Sequence, residues 1–504
     1  MERLLLFPFL LLILQPSFAQ DHSQNIKELD AYIEASRQDW KIPGIAVAVV
    51  KNGEVLLAKG YGERELGSGK AVDSKTIYNI GSTTKAITAV AMAILVEDFK
   101  VKWEDKVIEH MPEFQLYDPY TTRDMRIRDL FSHNLGLPNA DYLWANTNMR
   151  PAEILYRMRY LEPAYPLRAG YTYQNIMYLA AGELIAKVSG QSWADFITEN
   201  IFKPLGMNNT YATKARSQVE ENRSIAHHYT FRSSEIIPIQ DFNADSIAAA
   251  GAIWSNIEDM AKWMQCMLNK GRYGDKRLIE EYNWAELFKP HALIPKNQFY
   301  PTTRLTQPKW TSYGLGWFQH DYQGRAIDFH TGSLPGTMAM IGLMHSEGIG
   351  YYFFGNLDHA ELRHALMYKV FDTFLGEDAD GRDWSQAMIE LYDPISRKNL
   401  IPKAWGEEVV NPTYEAAKYT GSFGSEVWGK VRATLKEGEL YFQYDDRPFE
   451  KMQSLGGHTF FILSEEAWRG PQRMQYQVDV FGEIISLKIG PYEFTKGKIT
   501  RFEK

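Results

Sequence analysis

Gly81-Ser82-Thr83-Thr84-Lys85-Ala86-Ile87-Thr88-Ala89-Val90-Ala91-Met92-Ala93-Ile94-Leu95 is the stretch on which the reading of this chain turns. Ile87, Val90, Ala91, Ile94 and Leu95 recur at helical spacing, so a buried helix is expected to start at Ser82. A serine hydroxyl is a poor nucleophile until a neighbouring base takes its proton. Lys85, three residues on, falls on the same helix face and within reach of that hydroxyl. Burial disfavours an ammonium and so favours a neutral, basic amine. The helix N-terminus also offers N–H groups where an oxyanion would form. Alone the motif is weak, since Ser-x-x-Lys arises by chance about twice in a chain this long at average residue usage.

Outward from this helix, residues 45–50 and 54–59 are β-rich and flank Lys51-Asn52-Gly53, a strong hairpin signal. Downstream the chain is mostly helical, and a helix is expected over 175–188, ending at Gly190. Just before it stand Tyr173-Gln174-Asn175. A tyrosine hydroxyl beside a lysine can shuttle a proton to a leaving group. The asparagine amide can orient the lysine and a substrate carbonyl. Four glycine-separated strands follow, and His330-Thr331-Gly332-Ser333 closes the strand expected at 325–329. There a glycine would let a substrate backbone approach the strand edge, and the Ser333 N–H could complete an oxyanion hole with that of Ser82. A hairpin, then helices, then more strands predicts one sheet assembled from both ends of the domain, an α+β fold.

Taken together and in this order, the three motifs resemble the serine β-lactamase, penicillin-binding protein and esterase superfamily. Its pattern is Ser-x-x-Lys on a helix, Tyr-x-Asn on a loop and Lys/His-x-Gly on a strand. The intervals from Lys85 to Tyr173 and from Tyr173 to His330 are similar to those of the class C branch. Ile42-Pro43-Gly44, Ser132-His133 leading to Gly136-Leu137-Pro138, and Gly251-Ala252-Ile253-Trp254-Ser255 add to the likeness, which covers residues 26–376. The resemblance implies a β-lactamase/transpeptidase-like sheet flanked by helices and an acyl-enzyme on Ser82. Lys85 and Tyr173 would handle protons, and the Ser82 and Ser333 N–H groups would hold the oxyanion. Asn175, His330, Thr331 and Gly332 would meet the substrate. His330 stands where β-lactamases usually carry lysine, and at an ordinary imidazole pKa it would be mostly neutral at pH 7 and protonate toward pH 6. That favours a peptidase or esterase acting on D-amino-acid or cell-wall-type peptides or small esters. A β-lactamase, or a non-hydrolytic penicillin- or peptidoglycan-binding receptor, is the alternative.

A net charge of −8 over 504 residues argues against a nucleic-acid partner. A charged start, an apolar run at 4–14 and Ser17-Phe18-Ala19 read as a signal peptide over 1–19, hence export to the periplasm or beyond. No later run is long and apolar enough to predict a stable membrane span. Cys266 is the only cysteine and has no partner for an internal disulfide. His227-His228 point apart on a strand without a completing carboxylate, so no metal is expected, and the chemistry needs no cofactor. The hydrolase domain is expected over 20–380, a linker over 381–412, and a small antiparallel β-barrel-like domain over 413–504. Because the motifs end at Ser333, that last domain is expected to lie outside the chemistry.

Overall fold

The computed structural model describes residues 22–230, 235–358, 361–376, 380–398, 410–464, 466, 469 and 472–498. The expected signal peptide and the 399–409 part of the expected linker lie outside the described residues.

Strands β1 (Gly44–Lys51) and β2 (Glu54–Gly62) form the expected hairpin. Asn52 and Gly53 turn it with φ of 52° and 83°, the paired left-handed conformations that an Asn-Gly turn supplies. The unbroken apolar run of β1 follows from burial on both faces. Ile45, Val47 and Val49 point into one core cluster, and Ala46, Ala48 and Val50 into another.

The chain returns to this sheet much later, with β3 (Ala292–Leu293), β4 (Thr311–Tyr313), β5 (Phe318–Tyr322), β6 (Arg325–Leu334), β7 (Thr337–Met344) and β8 (Ile349–Gly355). The order is β2-β1-β8-β7-β6-β5-β4-β3, antiparallel throughout. The first hairpin thus pairs with the last strand, Ile45 opposite Gly355, and the sheet is built from both ends of the domain.

Helices α1 (Ser23–Asp39) and α5 (Leu362–Leu375) cover one face. On the other lie α2 (Thr84–Glu97), α3 (Asn175–Ser189) and α4 (Ile257–Leu268). Every residue of α2 from Thr84 to Ala93 is buried, as expected of a helix that is apolar all round. A further helix, α6 (Trp384–Lys398), corrects the expected domain boundary. Trp384 is buried, stacks on Tyr368 and donates from Nε1 to Asp372 on α5 at 2.7 Å. The first domain therefore continues through at least the start of α6, where a linker was expected.

The C-terminal domain is a closed eight-stranded antiparallel barrel: β9 (Gly421–Ser425), β10 (Gly429–Lys436), β11 (Glu439–Tyr444), β12 (Glu450–Gly457), β13 (Thr459–Leu463), β14 (Gln472–Val478), β15 (Ile484–Ile489) and β16 (Tyr492–Lys496). β9 pairs with β16, and β12 with β13, which closes the ring. Val431, Ala433, Phe442, Tyr444 and Leu487 alternate inward to fill it. One member of this core comes from elsewhere: Tyr142, of the hydrolase domain, is buried among the barrel's rings. The barrel is thus docked beside the second motif, not set apart from the first domain.

Candidate active site

Ser82 lies in a one-turn 3-10 segment (Gly81–Thr83) that leads into α2. Lys85, one turn on, is fully buried, and its Nζ makes three hydrogen bonds. They go to Ser82 Oγ at 2.9 Å, Asn175 Oδ1 at 2.7 Å and the Ala250 carbonyl at 2.9 Å. The rings of Tyr173 and Tyr178 lie 4.8 and 5.3 Å from the same nitrogen. Burial pushes the Lys85 pKa down to about 7, against an upward pull from the Asp141 carboxylate.

This geometry specifies a direction for proton transfer. A neutral lysine keeps two N–H bonds and one lone pair. The Ala250 carbonyl and Asn175 Oδ1 can only accept, so both N–H bonds are drawn to them. The lone pair is left facing the Ser82 hydroxyl.

Asn175 is the first residue of α3, and its side chain is shared between Lys85 and Asp141, whose Oδ1 accepts from Asn175 Nδ2 at 3.0 Å. Its expected contact with a substrate carbonyl therefore competes with two partners inside the protein. Tyr173 precedes α3, is held against the His133 ring at 4.3 Å, and its ring lies 4.8 Å from Lys85 Nζ, which itself bonds Ser82 Oγ. Burial drives its pKa well above the usual phenol range, and the neighbouring Ser82 hydroxyl opposes this.

Two glycines set the nucleophile against the sheet. Gly81 has φ +51°, and a β-carbon there would lie 2.8 Å from the Ser333 nitrogen. A β-carbon on Gly332 would lie 2.1 Å from the Ile80 carbonyl oxygen. The turn carrying Ser82 is thus pressed backbone to backbone on β6, the closeness that a shared Ser82/Ser333 oxyanion hole requires. Gly332 makes room for the protein's own chain at this point, where a substrate backbone was expected.

The remaining third-motif residues depart from expectation. His330 is fully buried, with Nε2 2.8 Å from the Tyr313 hydroxyl and Nδ1 2.7 Å from the Thr331 carbonyl. Burial, with Lys85 nearby, pushes its pKa down to about 3. The imidazole thus stays neutral at pH 6, which corrects the expectation that it protonates there. A neutral ring with its proton on Nδ1 satisfies both contacts, donating to Thr331 O and accepting from Tyr313. The Thr331 hydroxyl is turned to Tyr300, 2.6 Å away. Ser333 is exposed and accepts at Oγ from Arg363 Nη1 at 2.7 Å, while the same nitrogen donates to Gly332 O. The rest of the Arg363 guanidinium is taken up by Glu361.

Sequence reasoning missed several partners of this centre: Ala250, Tyr313, Arg363 and Asp141. A backbone carbonyl leaves no trace in sequence. Asp141, however, lies just past Gly136-Leu137-Pro138, where Asn139-Ala140-Asp141 marks a turn. His133 carried a signal of another kind, as a non-glycine residue at φ 61° that packs on Tyr173 and accepts from the Gln174 N–H.

With this geometry established, comparison with known proteins places the chain. The β-lactamase family model matches residues 29–374, and the chain belongs to that family of serine hydrolases. It is 30% identical over 438 residues to the unguisins hydrolase ungD of Aspergillus violaceofuscus, covering 80% of this chain and 76% of that protein. It is 24% identical over 335 residues to protein flp of Staphylococcus aureus, covering 66% of this chain and 63% of that one. Among solved structures, the octameric penicillin-binding protein homologue from Pyrococcus abyssi superposes with a TM-score of 0.59 at 20% identity, over 94% of this chain and 100% of that one. A D-stereospecific amidohydrolase from a Streptomyces species gives 0.55 at 20% identity, over 70% and 98%.

Proposed function

We propose that this protein is an exported hydrolase that cleaves amide or ester bonds through an acyl-enzyme on Ser82. Lys85 takes the Ser82 proton, and Tyr173, packed beside Lys85, returns one to the leaving group. The Ser82 and Ser333 N–H groups hold the oxyanion, and water then releases the acyl group by the same proton path. The observation that carries this reading is the Lys85 amine, with two N–H bonds committed to carbonyl oxygens and its third position on Ser82.

The preferred substrates are uncharged amides or esters of peptide type, including D-amino-acid or cell-wall-like peptides. Two observations support this choice over β-lactams. His330 is neutral, and the Arg363 guanidinium is engaged by Glu361, Gly332 and Ser333, so a substrate carboxylate meets little free positive charge. The relative at 30% identity is named as a hydrolase of unguisins. Export is supported by the apolar run and small-residue site over 1–19.

The test is labelling with a serine-reactive phosphonate, followed by a panel of D-aminoacyl amides, p-nitrophenyl esters and a chromogenic cephalosporin. Labelling of wild type but not of Ser82→Ala, with esters or amides turned over faster than the cephalosporin, is the expected outcome. Turnover that survives Ser82→Ala would end this reading.

A further inference from the structure

Between the catalytic helices and the barrel runs a segment whose inner and outer contacts fall on adjacent residues. On the inner side, Asp141 Oδ1 accepts from Asn175 Nδ2 at 3.0 Å and from Trp144 Nε1 at 2.8 Å. Its Oδ2 accepts from Asn139 Nδ2 at 3.0 Å. On the outer side, the Tyr142 ring is enclosed by four barrel aromatics, with centroids 5.9 Å from Trp428, 5.8 Å from Tyr444, 4.7 Å from Tyr492 and 5.8 Å from Phe494. Arg447 and Arg469, both beyond β11, donate to the Ala145 carbonyl at 3.2 and 3.1 Å. Arg157 reaches the other way and donates to the Glu426 carbonyl in the β9–β10 turn at 2.8 Å.

We propose that Asp141 is a positioning residue for the Ser82–Lys85 centre and that the C-terminal barrel is the clamp that holds it there. The barrel is then part of the hydrolytic apparatus, against the expectation drawn from motif positions alone. This rests on the Ser82 reading above and adds to it the source of the second motif's alignment.

The physical argument has two parts. The first is orientation. Lys85 needs the oxygen of the Asn175 amide, and a flipped amide would set an NH2 against the lysine's own donors. A carboxylate accepts only, so Asp141 on the far side of the amide admits just the orientation that Lys85 needs. The second is charge. The carboxylate favours the ammonium form of Lys85, opposing the effect of burial. The other groups facing Lys85 are Ser82, the Ala250 carbonyl, the rings of Tyr173 and Tyr178, and the neutral imidazoles of His133 and His330. Facing Asp141 are Asn139, Trp144, Asn175 and, from the barrel, Tyr492, whose phenol the same carboxylate also influences.

The barrel is needed because the helical turn Tyr142–Ala145 is only four residues long. A single turn does not hold itself in water. Leu143 seats its inner side in the hydrolase core, and the aromatic enclosure of Tyr142 and the two arginines on Ala145 fix its outer side.

The experiment measures kcat and KM against pH for a neutral ester in the full-length wild type and four variants, each checked for native circular dichroism. Asp141→Asn keeps the shape and an oxygen for Asn175 and Trp144 but removes the charge. Its kcat on the high-pH plateau should lie between those of wild type and Asp141→Ala, and the rising limb should move to lower pH by roughly half a unit. Asp141→Ala should lower kcat about ten- to a hundredfold with a smaller change in KM. Tyr492→Ala, made wholly within the barrel, should lower kcat about three- to thirtyfold, and Tyr492→Phe, which keeps the ring, should restore most of it. A limb in Asp141→Asn that superimposes on wild type, or a folded Tyr492→Ala with wild-type kcat, overturns the proposal. Phosphonate labelling of Ser82 in each protein separates this failure from failure of the underlying reading, which would instead show as activity independent of Ser82.

Discussion

Gly332 approaches Ile80 so closely that a β-carbon on the glycine would lie 2.1 Å from the Ile80 carbonyl oxygen. That oxygen belongs to backbone two residues before the nucleophile, so no side chain can swing aside to make room. Gly332→Ala must push β6 away from the turn carrying Ser82, separating the two oxyanion N–H groups. Loss of one such donor costs about 10²–10³ in kcat, and a comparable loss is expected here. Expression, melting temperature and ester turnover of Gly332→Ala provide the check. A folded variant with wild-type kcat would show that the oxyanion site does not depend on this contact.

Lys85 makes the activity pH-dependent in a defined sense. With its pKa pushed down to about 7, the neutral base accumulates as pH rises, so kcat/KM for an uncharged ester should climb through about pH 7 to a plateau. Lys85→Arg retains positive charge but cannot deprotonate in this range, so it should lose roughly two to four orders of magnitude and show no recovery at pH 9. A substantial recovery at high pH in Lys85→Arg would point to another base.

His330 should be silent in the same profile. Its pKa of about 3 leaves it neutral from pH 5 upward. The ratio of kcat/KM for a carboxylate-bearing substrate to that for a neutral one should therefore not change through protonation of this ring between pH 7 and 6. His330→Lys would place an ammonium where an imidazole now bonds Tyr313 and the Thr331 carbonyl, without a carboxylate to pair with it. A loss of about 3 kcal/mol or more in stability is expected, measured by urea denaturation at pH 7. A His330→Lys protein as stable as wild type, with a raised preference for acidic substrates, would mean that this position opens to the substrate.

The contrast between Lys85 and His330 shows what was legible in the sequence. Ser82 and Lys85 share one helix, so their meeting follows from helical spacing alone, and the helix's apolar sequence announced its burial. Likewise the β1–β2 hairpin was written in Asn52-Gly53, and the alternating barrel strands in their period of two. His330 looked like a substrate contact because strand position does not tell which face a side chain takes. Its burial depends on Tyr313 and Phe318, contributed by β4 and β5. The Tyr142 anchor was invisible for a related reason: nothing local marks a tyrosine of one domain as core of another. A helical stretch is legible where α6 lies, but its membership of the first domain is not, because a charged, amphipathic helix reads as part of a linker until Trp384 is seen to pack on Tyr368.

Asp328, on β6 two residues before His330, carries a consequence for stability. It is buried and accepts from Gln319 Nε2 at 2.7 Å, and burial raises its pKa to about 7, with the Gln319 bond opposing. Its second oxygen lies 3.6 Å from His345 Nε2. That imidazole is partly buried, and desolvation lowers its pKa to about 4, so above pH 5 it brings no positive charge to pair with the carboxylate. In the unfolded chain an aspartate loses its proton near pH 4. Between about pH 4 and 7 the folded protein therefore holds a proton that the unfolded chain has released. The unfolded state binds fewer protons there, so stability falls as pH rises through this window and levels off above it. Asp328→Asn removes the titration while keeping an oxygen for Gln319 and presenting an N–H toward His345 Nε2, which has no hydrogen-bond partner among the described residues. The variant should match wild type near pH 4 and exceed it by about 2–4 kcal/mol at pH 8. Urea denaturation at pH 5, 6.5 and 8 gives the comparison. A difference that stays constant across the three pH values would mean that Asp328 is already ionised in the folded protein, with His345 as its charged partner.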